Sequence, residues 1–521
     1  MNKLKLAPSV LFILLAVALI FKASWLVRPD LIFNYPFITY DGFQWMTDSL
    51  HYSNNYVDVT QRNPAIPLVF AVLRLLNIVD FFPAILCLLT WLFYFGCYRF
   101  TREFVGVTAA TFATFVFIFV FKLHNFFDFI LADPWTITLI VFSIRELLVS
   151  GRDERHLRLF ALYLGLSVNF QFTPAFLAPA FIWYFTRPEI FKFWINRPNI
   201  LLQSCAIFLC LAFPQFIYKW IHFGNPLYSH VIHFPLVEFH LFGLVYYALN
   251  FLAWLGFPLA CFVIWGFTST FKSKETKIQF VHMLFTCMFV FWVLFYTWLD
   301  TRFLIYLFPF WFVYFAILAE KIDLVAFFSW KKKSIPEIIW ITLFGLFILS
   351  MASHKTSAFD GGSLQLSPQN VLKFDGRPIG KHRSSATIVD GVKSENYDDS
   401  MSLTTIISYF KFYRQTKGWQ SGLGEGFVAD ARNIGLLLET NKIIAPEKLS
   451  VCSGLSDVHE TKHRLFWMIK MNFVECDSTQ RFHLLRISDL NAFLATHPAY
   501  VVEFSGSELA LVKNPELVRH Q

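Results

Sequence analysis

Val10–Val27, VLFILLAVALIFKASWLV, is the first apolar run of the chain, and Lys3 and Lys5 precede it. A basic start before an apolar centre also describes a secretory signal, so the reading of this run decides what the rest becomes. It has no clear small-residue cleavage site, and Lys22 and Arg28 are out of place in a signal. The run therefore reads as a retained first membrane span. Further runs long enough to cross a hydrocarbon core of about 30 Å recur down to about residue 352.

Composition agrees. The chain is 56% hydrophobic, 19% aromatic and 15% charged, where soluble domains carry about 25% charge. A polytopic α-helical membrane protein followed by a soluble α/β domain is expected. About eleven spans read out, at roughly 8–27, 82–98, 105–123, 132–149, 157–171, 174–187, 200–218, 244–268, 279–299, 302–320 and 335–352. The fifth and sixth are short and punctuated by Pro174 and Pro179, so they can also form a hairpin that does not cross fully.

Loop charges test this map. Arg99 and Arg102, then Arg145 to Arg158, Arg187 to Arg197, Lys272 to Lys277 and Lys331 to Lys333 all fall on one side if every span crosses. The positive-inside rule makes that side the cytoplasm and puts the amino terminus there. The net charge of +8 then needs no nucleic-acid partner. The opposite loops hold Asp41 to Arg62, His124 to Asp133, Lys219 to His240, and Asp300-Thr301-Arg302. Acidic and histidine-rich material thus gathers outside, where ATP and nucleotide sugars are not normally available. Phe43, Trp45, Tyr52, Tyr56, Trp220 and Tyr228 share those loops. They fit an interfacial aromatic belt, or a platform for a sugar or polyprenyl chain.

From Ala352 the composition turns to Ser, Asp, Gly and Lys. The expected division is a membrane domain over 1–352, a linker over 353–400 and an extracytoplasmic α/β domain over 401–521. In the last, Asp430 is a candidate N-cap for a helix reaching Glu439. Leu449–Cys452, Phe482–Ile487, Tyr500–Phe504 and Leu509–Val512 read as strands, and Leu490–Thr496 as a helix. Cys452 and Cys476 would be able to form a disulfide outside the cytoplasm. The other cysteines lie in apolar runs as small core residues.

Three constellations carry candidate chemistry. Asp41, Asp128 and Asp133 would line one cavity, with a carboxylate to deprotonate an acceptor and others to hold a sugar or cation. Asp133 precedes Pro134, which also suits a plain helix start. Arg62, Lys219 and Arg302 supply positive charge for a phosphate leaving group, although Arg302 is also able to pair with Asp300. His230 and His233, with Tyr40 and Asn225, belong to loops that would line the site; the histidine spacing permits a metal ligand pair but is common. The metal stays unknown, with a divalent ion as one option. No Walker loop stands out, against an ATP-driven pump, and no Asn-x-Ser/Thr sequon occurs, which favours a bacterial membrane.

These residues together resemble the GT-C superfamily of membrane glycosyltransferases, near the bacterial protein O-mannosyltransferases and the aminoarabinose transferase of lipid A. The resemblance rests on Tyr40-Asp41-Gly42, on Asn63-Pro64-Ala65-Ile66-Pro67, on Phe223-Gly224-Asn225-Pro226-Leu227-Tyr228, and on Arg302-Phe303-Leu304 with the later Pro309. It implies transfer of a sugar from a polyprenyl-phosphate carrier at the outer face of the cell inner membrane, usually with inversion. The acceptor would be a lipid, polysaccharide or protein. Asp41 would be the base, and Arg302, Arg62 and Lys219 would hold the carrier phosphate. Asp41 is followed by Gly42 where the O-mannosyltransferase pattern has Glu, which leaves the acceptor open. Two other readings compete: a transporter or flippase of a lipid-linked glycan, and a non-catalytic relative.

Overall fold

The computed structural model describes residues 8–26, 63–118, 130–151, 153–226, 242–296, 301–322, 425–440, 448–451, 472–475 and 480–517. It adds Gly42, Trp45, Met46, Asp48, Ser49, Val120, Leu123, Phe126, Phe127 and Phe239, and four two-residue strands between 373 and 393. The chain divides into two compact units, residues 1–25 with 83–419 and residues 26–82 with 420–521.

The first unit is helical. Its helices are α1 (Pro8–Leu26), α3 (Phe82–Thr101), α4 (Val107–Ile118), α5 (Ala132–Val149), α6 (Arg155–Phe170), α7 (Ala178–Phe185), α8 (Pro188–Ile195), α9 (Pro198–Phe223), α10 (Phe242–Thr270), α11 (Thr276–Phe289) and α12 (Phe308–Lys321). α2 (Ala65–Leu75) belongs to the second unit. Helical segments thus occupy the places of the first ten expected spans; the eleventh, 335–352, lies outside the described residues. Among the described residues, 3 stretches are long and apolar enough to cross a membrane by themselves: Val79–Thr101, Pro198–Ile221 and Thr276–Phe295. α5 is 18 residues long but carries Asp133, Arg145 and Glu146. Pro8–Ser24, Val107–Ile118 and Thr173–Phe185 are apolar but shorter.

Local chemistry sets the helix ends. α9 opens on Pro198, where the missing N–H is one that no helix start satisfies. It closes on Gly224, which takes the left-handed conformation at φ 68° and returns its N–H to the Trp220 carbonyl at 2.9 Å. α10 departs from the single straight span expected over 244–268. Tyr246–Leu252 and Trp254–Thr270 cross at 97°. Gly256 sits there at φ 71° and ψ 154°, a region open essentially to glycine alone, and Pro258 removes a further donor.

Polar side chains stitch the apolar helices where no water competes. Ser143 Oγ on α5 donates to the Phe160 carbonyl of α6 at 3.2 Å. Asn169 Nδ2 on α6 donates to Leu211 O of α9 at 2.9 Å, and Gln215 Nε2 on α9 returns a bond to Val168 O at 3.0 Å. At the same seam Gly165 lets α9 approach: a Cβ there would lie 3.0 Å from Leu211 Cβ. α12 is buried from Phe308 to Ala316, the pattern of a helix surrounded by others. α9 instead exposes Leu202, Leu209, Phe213, Ile217 and Ile221, an apolar face suited to lipid.

In the second unit, five strands form one mixed sheet in the order β6-β5-β7-β9-β8. They are β5 (Lys448–Val451), β6 (Asn472–Glu475), β7 (Phe482–Arg486), β8 (Val501–Ser505) and β9 (Leu509–Lys513). β5 runs parallel to β6 and β7, while β9 is antiparallel to β7 and β8. Phe482, Leu484 and Leu485 of β7 and Leu509–Val512 of β9 are buried without alternation, as central strands covered on both faces should be. The expected strands appear within a residue or two; β6 was not expected. α14 (Leu490–Thr496) packs Leu490, Phe493 and Leu494 on Leu485, Tyr500 and Val512.

Asp430 is not the N-cap expected of it. α13 runs Glu425–Thr440, so Asp430 lies inside the helix. Its Oδ2 instead accepts from Glu508 N at 2.6 Å, Leu509 N at 3.1 Å and Ser507 Oγ at 3.3 Å. The tertiary turn between β8 and β9 supplies donors that the helix start does not. Gly506 makes room, since a Cβ there would sit 2.1 Å from Asp430 Oδ1.

Candidate functional site

Four chain segments of the first unit contribute. They are the first turn of α5, the end of α6 with the turn Thr173–Leu177, the last turns of α9, and the 3₁₀ turn Thr301–Tyr306 before α12. Asp133 lies in the first turn of α5, where its charge also suits the positive end of the helix dipole. It is only 2% exposed. The helix begins at Ala132, with Leu131 at the cap position, so Asp133 and Pro134 sit two steps further in than a capping Asp-Pro would. Freed from capping, the Asp133 carboxylate accepts a hydrogen bond from Tyr306 Oη at 2.8 Å. The side-chain oxygen of Gln171 lies against the same hydroxyl, and Thr173 Oγ1 donates to it at 3.3 Å.

Aromatic rings fix the phenol. Trp292 lies parallel to Tyr306 with centroids 5.2 Å apart, and Phe303 covers the other part of the stack at 4.0 Å from Trp292. Trp292 comes from a π-helical turn, Val290–Phe295, that continues α11. Such turns are commonly found at functional sites. Arg302, the second residue of the 3₁₀ turn, lays its guanidinium 5.0 Å from the Phe303 ring.

Lys219 is 1% exposed, near the end of α9. Its Nζ stands 4.3 Å from the centroid of Phe172, on the turn that also carries Gln171 and Thr173. An ammonium taken from water needs compensation, and the ring face supplies part of it. Asn225 follows the Gly224 cap, half-buried.

Of the residues singled out from sequence, Asp133, Arg302, Lys219 and Asn225 are therefore described; Asp133 meets Tyr306, and Arg302 lies four residues before Tyr306 on the same turn. Asp41, Asp128, Arg62, Tyr40, His230 and His233 lie outside the described residues, as do Asp300, Cys452 and Cys476. Sequence reading missed Tyr306, Gln171 and Thr173. The available signal was polar groups at the edges of apolar runs: Gln171 and Thr173 in NFQFTP, and Tyr306 in RFLIY. Among the described residues no three His, Cys, Asp or Glu side chains stand together as a metal site. The described groups suit a different task. A buried carboxylate oriented by a phenol is able to hold a hydroxyl-bearing ligand, and Arg302, on the turn of Tyr306, and Lys219, against Phe172 next to Gln171, are cations able to neutralise a phosphate.

Over nearly its whole length the chain is similar to ArnT, an aminoarabinose transferase, from Cupriavidus metallidurans. The structure of that protein bound to undecaprenyl phosphate aligns with a TM-score of 0.56 and 11% identity, over 98% of this chain and 99% of that one. Its apo state aligns with a TM-score of 0.54, again at 11% identity and over 98% and 99% of the two chains. This likeness shows the fold: the chain shares the fold of that transferase over nearly the whole length of both chains. No protein-family profile and no curated protein sequence matches the chain.

Proposed function

We propose that the protein is a glycosyltransferase that moves a sugar from a polyprenyl-phosphate carrier to a lipid, polysaccharide or protein acceptor at the outer face of a bacterial inner membrane. The observation that carries this reading is the buried Asp133–Tyr306 pair with Arg302 on the same turn as Tyr306, in a fold similar to that of a transferase solved with undecaprenyl phosphate. Lys219 on its aromatic shelf adds a second cation.

In this reading the Asp41 carboxylate takes the proton from the acceptor hydroxyl or amine. The acceptor atom forms its bond to the sugar C1 as the C1–oxygen bond to the carrier breaks. The electron pair leaves with the carrier phosphate, whose charge Arg302, Arg62 and Lys219 neutralise. Attack opposite the leaving group inverts C1. Asp133 and Asp128 hold sugar or acceptor hydroxyls. About eleven spans with a cytoplasmic amino terminus put this chemistry outside. The membrane domain is 1–352, the linker 353–400, and the α/β domain 401–521 lies in the periplasm.

The test supplies purified protein in detergent with a radiolabelled polyprenyl-phosphate sugar and a crude envelope extract, with Asp41→Asn alongside. Wild type should label one extract component and the variant none. Equal label bound by both proteins and transferred by neither would overturn the enzyme reading in favour of transport or binding.

A further inference from the structure

The other end of α5 holds a second polar cluster that the transfer reading leaves unused. Arg145 stands twelve residues after Asp133, about 18 Å along a helix that rises 1.5 Å per residue. Here Tyr98 and Arg99 from the last turn of α3, Arg102 and Glu103 from the turn after it, and Arg145 line a half-open cavity of about 400 Å³. That volume is within the range of small-ligand sites. Three arginines and one glutamate are thus among its lining residues.

The cluster is held from behind. Glu146, 2% exposed, takes Arg145 Nη1 at 2.7 Å, Arg99 Nη2 at 3.8 Å and the Nδ1 of His156 from α6. Arg145 is thereby fixed with its fork in place. Its Nε–H is buried and makes no hydrogen bond among the described residues, because Glu103 Oε1 stands 3.6 Å away. Arg102 is exposed and, among the described residues, reaches the Tyr98 hydroxyl at 3.5 Å. The two acidic side chains therefore do not use up the donors of three arginines. Planar forks with spare donors, fixed at a cavity wall, match the oxygens of a phosphate group.

We propose that this cavity binds a phosphate-bearing anion, either the headgroup of an anionic phospholipid or a soluble phosphate, at the membrane face opposite the Asp133–Tyr306 pair. The site is independent of sugar transfer, and its test needs no transfer assay. Purified full-length protein in a neutral detergent is titrated with short-chain phosphatidic acid, with inorganic phosphate, and with short-chain phosphatidylcholine as the zwitterionic control. Phosphatidic acid should bind saturably and phosphatidylcholine should not. Arg102→Gln and Arg99→Gln should each weaken that binding by about tenfold or more, the effect of one lost charge-assisted contact. Saturable binding of inorganic phosphate alone, with the same loss in the variants, would support the site and assign it to a soluble ligand. A second measurement uses wild type only: the probe that binds should protect Arg99 and Arg102 from phenylglyoxal, read by peptide mass spectrometry. Binding of neither probe, variants that bind like wild type, or arginines that react equally with and without the probe would each overturn the proposal.

Discussion

Replacing Tyr306 by Phe removes one oxygen and leaves the ring. The stack on Trp292, at 5.2 Å, is kept, so packing changes little. What is lost is the donor to Asp133 Oδ1 at 2.8 Å. A hydrogen bond to a charged acceptor contributes about 1.5–3 kcal/mol, and a buried carboxylate that loses a donor bears more of its desolvation cost. Asp133 is 2% exposed, so solvent cannot replace the phenol without rearrangement. Asp133→Ala loses more, because the favourable charge in the first turn of α5 goes as well. A double-mutant cycle cancels that extra term, since it is the same with Tyr or Phe at 306. The coupling between Asp133 and Tyr306 is therefore expected at about 1.5–3 kcal/mol. It would be read from reversible unfolding in mixed micelles, followed by tryptophan fluorescence, for wild type, both single variants and the double. Additive single effects, within about 0.5 kcal/mol, would refute the claim that the Tyr306 phenol orients the Asp133 carboxylate.

Gly266→Ala on α10 should be severe, because the new Cβ would stand 2.1 Å from the Tyr314 carbonyl oxygen of α12; a cost of about 1–3 kcal/mol for overpacking is expected, seen as a lower melting temperature in detergent. Asp430→Ala strips the acceptor from Glu508 N and Leu509 N, so local stability of the β8–β9 turn should fall by about 1–3 kcal/mol, and hydrogen exchange at those two amides in the full chain should rise accordingly. Lys219→Met keeps the length of the side chain and removes a buried charge; the variant should melt at or above the wild-type temperature, yet lose affinity for polyprenyl phosphate in a binding titration. A Lys219→Met protein that binds the carrier as wild type does would remove Lys219 from the phosphate site.

Much of the architecture is legible in the sequence because membrane burial writes long apolar runs. α5 was expected over 132–149 and runs Ala132–Val149, and α14 matches Leu490–Thr496. The strands β7 and β9 carry their own β-branched, apolar and aromatic signal. Bends and short elements are less visible. The 97° break in α10 depends on one glycine whose backbone conformation no apolar pattern encodes. β6 is four residues long, and its pairing with β5 is what makes it a strand.

The sequence by itself determined the helical class of the fold, its apolar helices and the separation of basic from acidic stretches along the chain. These follow from local hydropathy and charge, which each segment carries alone. Only the tertiary structure decided partners. Asp133 meets Tyr306 across 173 positions, Asp430 meets Glu508 across 78, and Arg99, Arg102 and Arg145 come to one cavity from two helices. A side chain's chemistry is written in one letter, but the acceptor that gives it a role is chosen by how the helices pack.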